Sequence, residues 1–271
     1  MSIGGSEVEP VSLRPPLSER FRTGARDFPY WFVAIIGLLA WMLLLIFTNT
    51  QYRDAWDAIL PGLTTTISAT LYGFGFALLI GLLAGIGRIS RNVVARNVAI
   101  TYIEFIRGVP ILVLIFTVAF VVVPEVSSAL GFANSAVSQF TRAVSALAII
   151  YGAYLAEVFR AGIESVARGQ TEAGRALGLS HGQTMRRIVL PQAVRNMTPA
   201  LGNDLIAMLK DSSLLSVLGV RELTQEGRLY AGNTFQFRPT YLVLTFFYLS
   251  MTLVLSLLLR WYRSRLGLDE S

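Results

Sequence analysis

The chain has 271 residues, 54% of them hydrophobic and 15% charged, with a net charge of +6 and no cysteine. That is too apolar for a water-soluble domain, and the lack of cysteine excludes disulfides and thiolate metal sites. The basic excess would suit a nucleic-acid binder, but the arginines gather in alternate connections between apolar blocks, which excludes that class as well.

Residues 1–29 are polar, include Pro10, Pro15 and Pro16, and predict a disordered tail with no cleavable signal before Tyr30. Three uncharged runs follow along the chain, 30–48, 58–87 and 239–259, each long enough to cross a hydrocarbon core of about 30 Å as a helix. The predicted spans are 30–47, 63–87, 99–123, 143–163, 198–220 and 240–261. This is an all-α polytopic membrane protein of about six transmembrane helices. Residues 48–60 read as an outer loop, Pro124 as the end of the third span, and 125–142 as an outer segment with room for a short interfacial helix. The second span carries Gly73, Ala77, Gly81 and Gly85 at four-residue spacing, which leaves one face open to close helix approach. Hydropathy alone misses the fourth and fifth spans, which are interrupted by Glu157 and by Asp204, Lys210 and Asp211. An even number of crossings is what keeps the basic connections together. Arginines in the tail and in 88–107, 160–195 and 260–265 then share one side. Arg53, Arg142, Arg221, Arg228 and Arg238 fall on the other. The positive-inside rule makes the first side, with both termini, cytoplasmic.

The most informative connection is 164–195, a charged, helix-forming stretch of about thirty residues between two apolar blocks. Gly178 ends one short helix, Ser180 caps a second, and Pro191 limits how far that one runs. The expected shape is a helix–turn–helix protrusion suited to another protein's groove. Its residues run Glu172-Ala173-Gly174, then Gly178, then Ile188-Val189-Leu190-Pro191. This spacing resembles the EAA loop of ABC importer permeases, with Gly174 standing where a second alanine is usual. Segments 102–110, 153–163, 200–204 and 209–214 further resemble the polar amino-acid branch of that family. The resemblance covers 58–266, taken as a five-helix permease domain. It leaves 30–57 as an extra N-terminal helix with its outer loop, and 267–271 as a tail.

What the resemblance implies is a permease subunit of an ATP-driven importer of polar amino acids in a bacterial inner membrane. Glu172, Ala173, Gly178, His181, Ile188, Leu190 and Pro191 would couple it to two ATPase subunits, the loop acting as a rigid lever. A second permease subunit, identical or homologous, and an extracytoplasmic amino-acid-binding protein would complete the assembly. The chain contains no phosphate-cradling loop ending in Gly-Lys-Ser/Thr, so ATP and Mg belong to the partner ATPase. No catalytic, cofactor or metal site is expected in the chain itself.

Charges within a span face protein, a cavity or each other. Glu157 lies three residues from both Tyr154 and Arg160, and Asp204 and Asp211 are seven apart on one helical face. Tyr154, Glu157, Lys210, Asp211, Ser212 and Ser213 are therefore the candidate lining of a solvated path, weighed evenly against structural pairing. Lys210 and Asp211 could instead neutralise each other or charges on another subunit. Glu104, Arg107 and Pro110 read as interfacial anchoring. The competing reading is a self-contained ion- or proton-coupled carrier that titrates Glu157 and Asp211.

Overall fold

A computed structural model describes residues 30–265. The tails expected at 1–29 and 267–271 lie outside the described residues. The chain divides into two compact units, Met1–Trp41 and Met42–Ser271. Of the first, residues 30–41 are described: a stretch of apolar helix in which Trp31 and Phe32 meet edge to face at 5.8 Å.

Among the described residues the elements are all helical. In chain order they are α1 (Tyr30–Thr48), α2 (Thr50–Ile59), α3 (Gly62–Arg88) and α4 (Val93–Gly108). A helix of two α segments, α5 (Ile111–Thr117) and α6 (Val123–Ala129), is joined through a π turn at Val118–Val122. Next come a short 3-10 turn at Asn134–Ala136, α7 (Gln139–Glu164), α8 (Arg168–Ala176) and α9 (His181–Thr184). A second π turn, Met185–Val189, leads into α10 (Leu190–Asp211). A 3-10 stretch at Ser212–Leu218, α11 (Leu223–Thr234) and α12 (Phe237–Arg265) complete the list. Five helical stretches are long and apolar enough to cross a membrane: Tyr30–Thr48, Gly62–Arg88, Ile111–Ala129, Gln139–Glu164 and Phe237–Arg265. The long helix α10 carries Arg195, Asp204, Lys210 and Asp211 and falls outside that set.

The third predicted span, 99–123, is corrected. Pro110 breaks it: Val109 is extended at φ −113° and ψ 140°, where the residue before a proline is pushed by the ring. The apolar crossing starts afresh at Ile111 and runs past Pro124 to Ala129. Pro124 does not end it because the π turn finishes two residues earlier, with Val123 N–H bonded to the Val118 carbonyl. The wider turn shifts the hydrogen-bond register where the proline ring would meet the carbonyl four residues back. The same device stands before Pro191, where Leu190 N–H reaches the Met185 carbonyl. Pro191 therefore does not stop the second loop helix, and His181 to Asp211 is one helical run.

The outer loop expected at 48–60 is also corrected. It contains α2, capped by the Asn49 side chain accepting from Gln51 N–H at 3.0 Å. Tyr52, Ala55 and Ile59 are buried on one face, while Arg53, Asp54 and Asp57 are exposed. That buried face joins Leu223 of α11 and Val243, Leu244 and Phe247 of α12 in one cluster, with Trp56 stacked on Phe247 at 4.4 Å.

The principal core lies along α3 and α7. Gly73, Ala77, Gly81 and Gly85 are all buried, as their spacing predicts. A Cβ on Gly81 would stand 2.7 Å from the Leu155 Cβ, so this face of α3 lies directly against α7. Ile115, Val118 and Ala119 pack on the same core from the third crossing, and Met208 and Leu215 from the chain after it.

Candidate functional site

The residues singled out in the sequence fall mainly into two regions at different depths. The first is the pair α8 and α9. Helix α8 ends at Gly178, whose φ of +78° is open to glycine and strained for other residues. Ser180 then caps α9 in a reciprocal box: its side chain accepts from Gln183 N–H at 3.3 Å and the Gln183 side chain accepts from Ser180 N–H at 2.9 Å. The two helices touch at Gly174. A Cβ there would lie 2.8 Å from Thr184 Cγ2 and 2.9 Å from Ile188 Cδ1. Gly174, standing where an alanine is usual, is thus a packing requirement of the helix pair. The outward surface of the pair presents Glu172, Ala173, Gly178 and His181, with the Arg175 guanidinium 3.4 Å from His181 Nδ1. Leu190 and Pro191 are exposed, and Ile188 is half-buried against α8. Sequence reasoning missed Leu177, 80% exposed between the two helices: a large apolar side chain at the tip of a charged protrusion. Its place at the end of the polar helix Arg168–Ala176, beside the Gly178 turn, was the available signal.

The second region lies in the middle of the spans. Asp211 Oδ2 accepts from the Tyr151 hydroxyl at 2.7 Å, and the Tyr151 ring meets Tyr154 edge to face at 5.7 Å. Tyr151 was not among the predicted residues, because a tyrosine in an apolar run reads as core. It lies halfway along Gln139–Glu164, which sets Asp211 at mid-depth. Met208, one turn earlier, is within 3.4 Å of where a Gly73 Cβ would stand, again near the middle of its span. Ser213 is half-buried near this level. Ser212 is buried, and its hydroxyl donates to the Leu209 carbonyl at 2.7 Å. Lys210 does not neutralise Asp211: it is exposed, and no ion pair reaches it among the described residues. Neighbours on a helix point about 100° apart, so the two charges leave on different faces.

Glu157 stands apart from this group. It is held by Arg88 from the end of α3 and by Arg160 at 2.9 Å, and Arg160 also pairs with Glu164. Glu104 comes within 3.6 Å of Arg88. Glu157 therefore belongs to a chain of five charges tying α3, α4 and α7 together. Asn196 of α10 adds a bond of 2.8 Å to Ser165 beside the same cleft.

A third buried polar cluster lies at the end of the spans opposite α8. Glu222, fully buried, accepts from Thr224 N–H at 2.9 Å, Gln225 N–H at 2.7 Å and the Tyr248 hydroxyl at 2.9 Å. Burial pushes its carboxyl up to about 7, against the pull of those three donors. Among the described residues no group of His, Cys, Asp and Glu is placed to hold a metal ion.

Residues 77–268 match the family described as the binding-protein-dependent transport system inner membrane component. The chain belongs to this family. It is 38% identical over 218 residues to the glutamine transport system permease protein GlnP of Escherichia coli K12, covering 78% of this chain and 97% of that one. It is 35% identical over 215 residues to the L-cystine transport system permease protein TcyL of Bacillus subtilis, covering 78% and 90% respectively. Among solved structures, a chain of an amino acid ABC transporter superposes with a TM-score of 0.70 at 35% identity, covering 81% of this chain and 98% of that one. The MetNI methionine ABC transporter, at 19% identity and a TM-score of 0.57, shares the fold. The chain is thus a permease homologous to those of amino-acid ABC importers and a multi-pass membrane protein.

Proposed function

We propose that this permease moves polar amino acids across a bacterial inner membrane, powered by ATPase subunits on separate chains. The α8–α9 protrusion carries the reading: a rigid, capped pair of short helices offering Glu172, Leu177 and His181 outward, a shape and chemistry suited to a cleft in a soluble partner. Its immediate continuity with α10 links that cleft to the mid-membrane group. Closure of two ATPases around ATP and Mg moves the loops only if they contact the two ATPase states differently. Substrate passes by Asp211, Tyr151, Tyr154 and Ser213, with Lys210 on the adjoining face. Carboxylate, ammonium and hydroxyl groups there match the polar backbone groups of an amino acid. Glu157 and Ser212, engaged elsewhere, hold the scaffold. A second permease subunit and an extracytoplasmic amino-acid-binding protein complete the assembly, with the termini and the loop cytoplasmic.

Gentle isolation of the chain from membranes tests this. An ATP-hydrolysing subunit is expected to coelute, and Leu177→Asp should release it while leaving the permease inserted. Ion-driven uptake by the chain alone, with no ATPase attached, overturns the reading in favour of a self-contained carrier.

A further inference from the structure

Helices α3 and α4 are joined by the short connection 89–92 and run back along each other: a Cβ on Gly87 would stand 3.1 Å from the Ala99 Cβ and 3.5 Å from the Ala95 carbonyl oxygen. Between them lies an open groove of about 510 Å³, with Ile80, Leu83 and Gly87 on one wall and Ala95, Val98 and Tyr102 on the other. Tyr102 is the one polar side chain among the described lining residues, and its hydroxyl already donates to the Ile149 carbonyl of α7 at 2.5 Å. Ile149 lies near the middle of Gln139–Glu164, so the groove runs from mid-depth to the α3–α4 connection. Ile80 to Gly87 covers about 10 Å at 1.5 Å per residue, within the roughly 15 Å that half a hydrocarbon core supplies. The flanks are apolar and exposed, through Leu79 on α3 and Val94 and Phe105 on α4. The connection end differs. Arg91 and Arg96 are exposed there, and no hydrogen bond or ion pair reaches either guanidinium among the described residues. Arg88 beside them is taken up by Glu157 and Glu104.

We propose that the α3–α4 groove holds an acyl chain of an anionic phospholipid, whose phosphate is taken by Arg91 and Arg96. A slot with no free donor or acceptor recognises hydrocarbon alone. Two unpaired guanidinium groups at its mouth then choose the headgroup, because they gain most from a lipid whose phosphate carries no cation of its own. A soluble anion would satisfy the arginines and leave the slot empty. A zwitterionic lipid would fill the slot but bring its own ammonium to the mouth. The arginines also stand on the side of the chain where the basic connections gather, which is the side that faces anionic lipid in the positive-inside arrangement. The site needs only a membrane-spanning chain, so its failure leaves the importer reading untouched.

Purified protein in nanodiscs of phosphatidylcholine tests this. A trace of phosphatidylglycerol or of phosphatidylcholine is added, each with a diazirine on one acyl chain. Illumination should label peptides within 79–105 roughly tenfold more from phosphatidylglycerol than from phosphatidylcholine. Arg91→Gln with Arg96→Gln should erase that preference, and Arg91→Lys with Arg96→Lys should keep most of it. Arg263→Gln, on the same side but away from the groove, should change nothing. Ala95→Phe, which fills the slot, should remove labelling there from both lipids. The arginine changes touch exposed side chains, so they decide the matter even where Ala95→Phe fails to fold. Equal labelling by the two lipids, labelling confined to other apolar faces, or a preference that survives the double glutamine variant overturns the proposal. Binding of labelled inorganic phosphate that needs both arginines, with no lipid preference in the discs, overturns it in favour of a soluble anion.

Discussion

Glu222 shows what burial does to a single group. Its carboxyl ordinarily titrates near 4.5 and is raised to about 7 in the fold, in the connection beyond α10. Between those values the folded chain holds a proton that the unfolded chain releases. Stability is therefore full at low pH and falls as pH rises, by up to about 3 kcal/mol once past 7. The melting temperature in detergent should drop between pH 5 and pH 8, and Glu222→Gln should flatten most of that drop. An unchanged slope in the variant would place the titration elsewhere. Asp211 and Tyr151 give a second residue-level test. Tyr151→Phe removes the hydroxyl that donates to Asp211, and Asp211→Asn replaces the carboxylate acceptor with a weaker neutral amide oxygen; a hydrogen bond to a charged group contributes about 1.5–3 kcal/mol. Uptake into vesicles should fall roughly tenfold or more in both, with the double variant close to either single one. A normal rate and half-saturation concentration in Asp211→Asn would make the carboxylate scaffold.

Within the α8–α9 element the decisive contact is between Gly174 and Thr184. Gly174→Val forces side-chain atoms into space already filled and should cost about 1–3 kcal/mol locally. The expected outcome is a protease-sensitive loop and reduced ATPase coelution from a protein that still inserts. Gly174→Ala should show a weaker form of the defect, and Thr184→Ser, which removes Cγ2, should relieve it. Failure of that rescue would mean the crowding lies elsewhere. The glycine turn, the serine cap and both short helices were legible in the sequence, because each depends on residues within one turn of the chain. So was the small-residue face of α3, which follows from four-residue spacing alone. The breaks at Pro110 and the continuities through Pro124 and Pro191 were not legible. Whether a proline ends a helix or is absorbed depends on the hydrogen-bond register of the turn before it, and no composition reports that. Helix α2 carried a weak signal in Tyr52, Ala55 and Ile59, overshadowed by its polar content. The Arg88–Glu157 pair joins residues 69 positions apart and is visible only once α3 lies on α7.

For the molecule as a whole, the purified, partner-free chain should neither bind nor hydrolyse ATP, since it has no loop that cradles phosphate. Retention of labelled nucleotide by that preparation would contradict the division of labour. The two π turns matter at this scale because the one before Pro191 keeps His181 to Asp211 one continuous helical rod, Pro199 included, with its loop end exposed and its far end at the Tyr151 contact. From Leu190 to Asp211 the rod has 22 residues, a swing radius of about 33 Å at 1.5 Å per residue. Tilting it by about 5° at the widened turn carries the far end through roughly 3 Å, about the length of one hydrogen bond. An angular change that small at the loop end is enough to make or break the link between Asp211 and Tyr151.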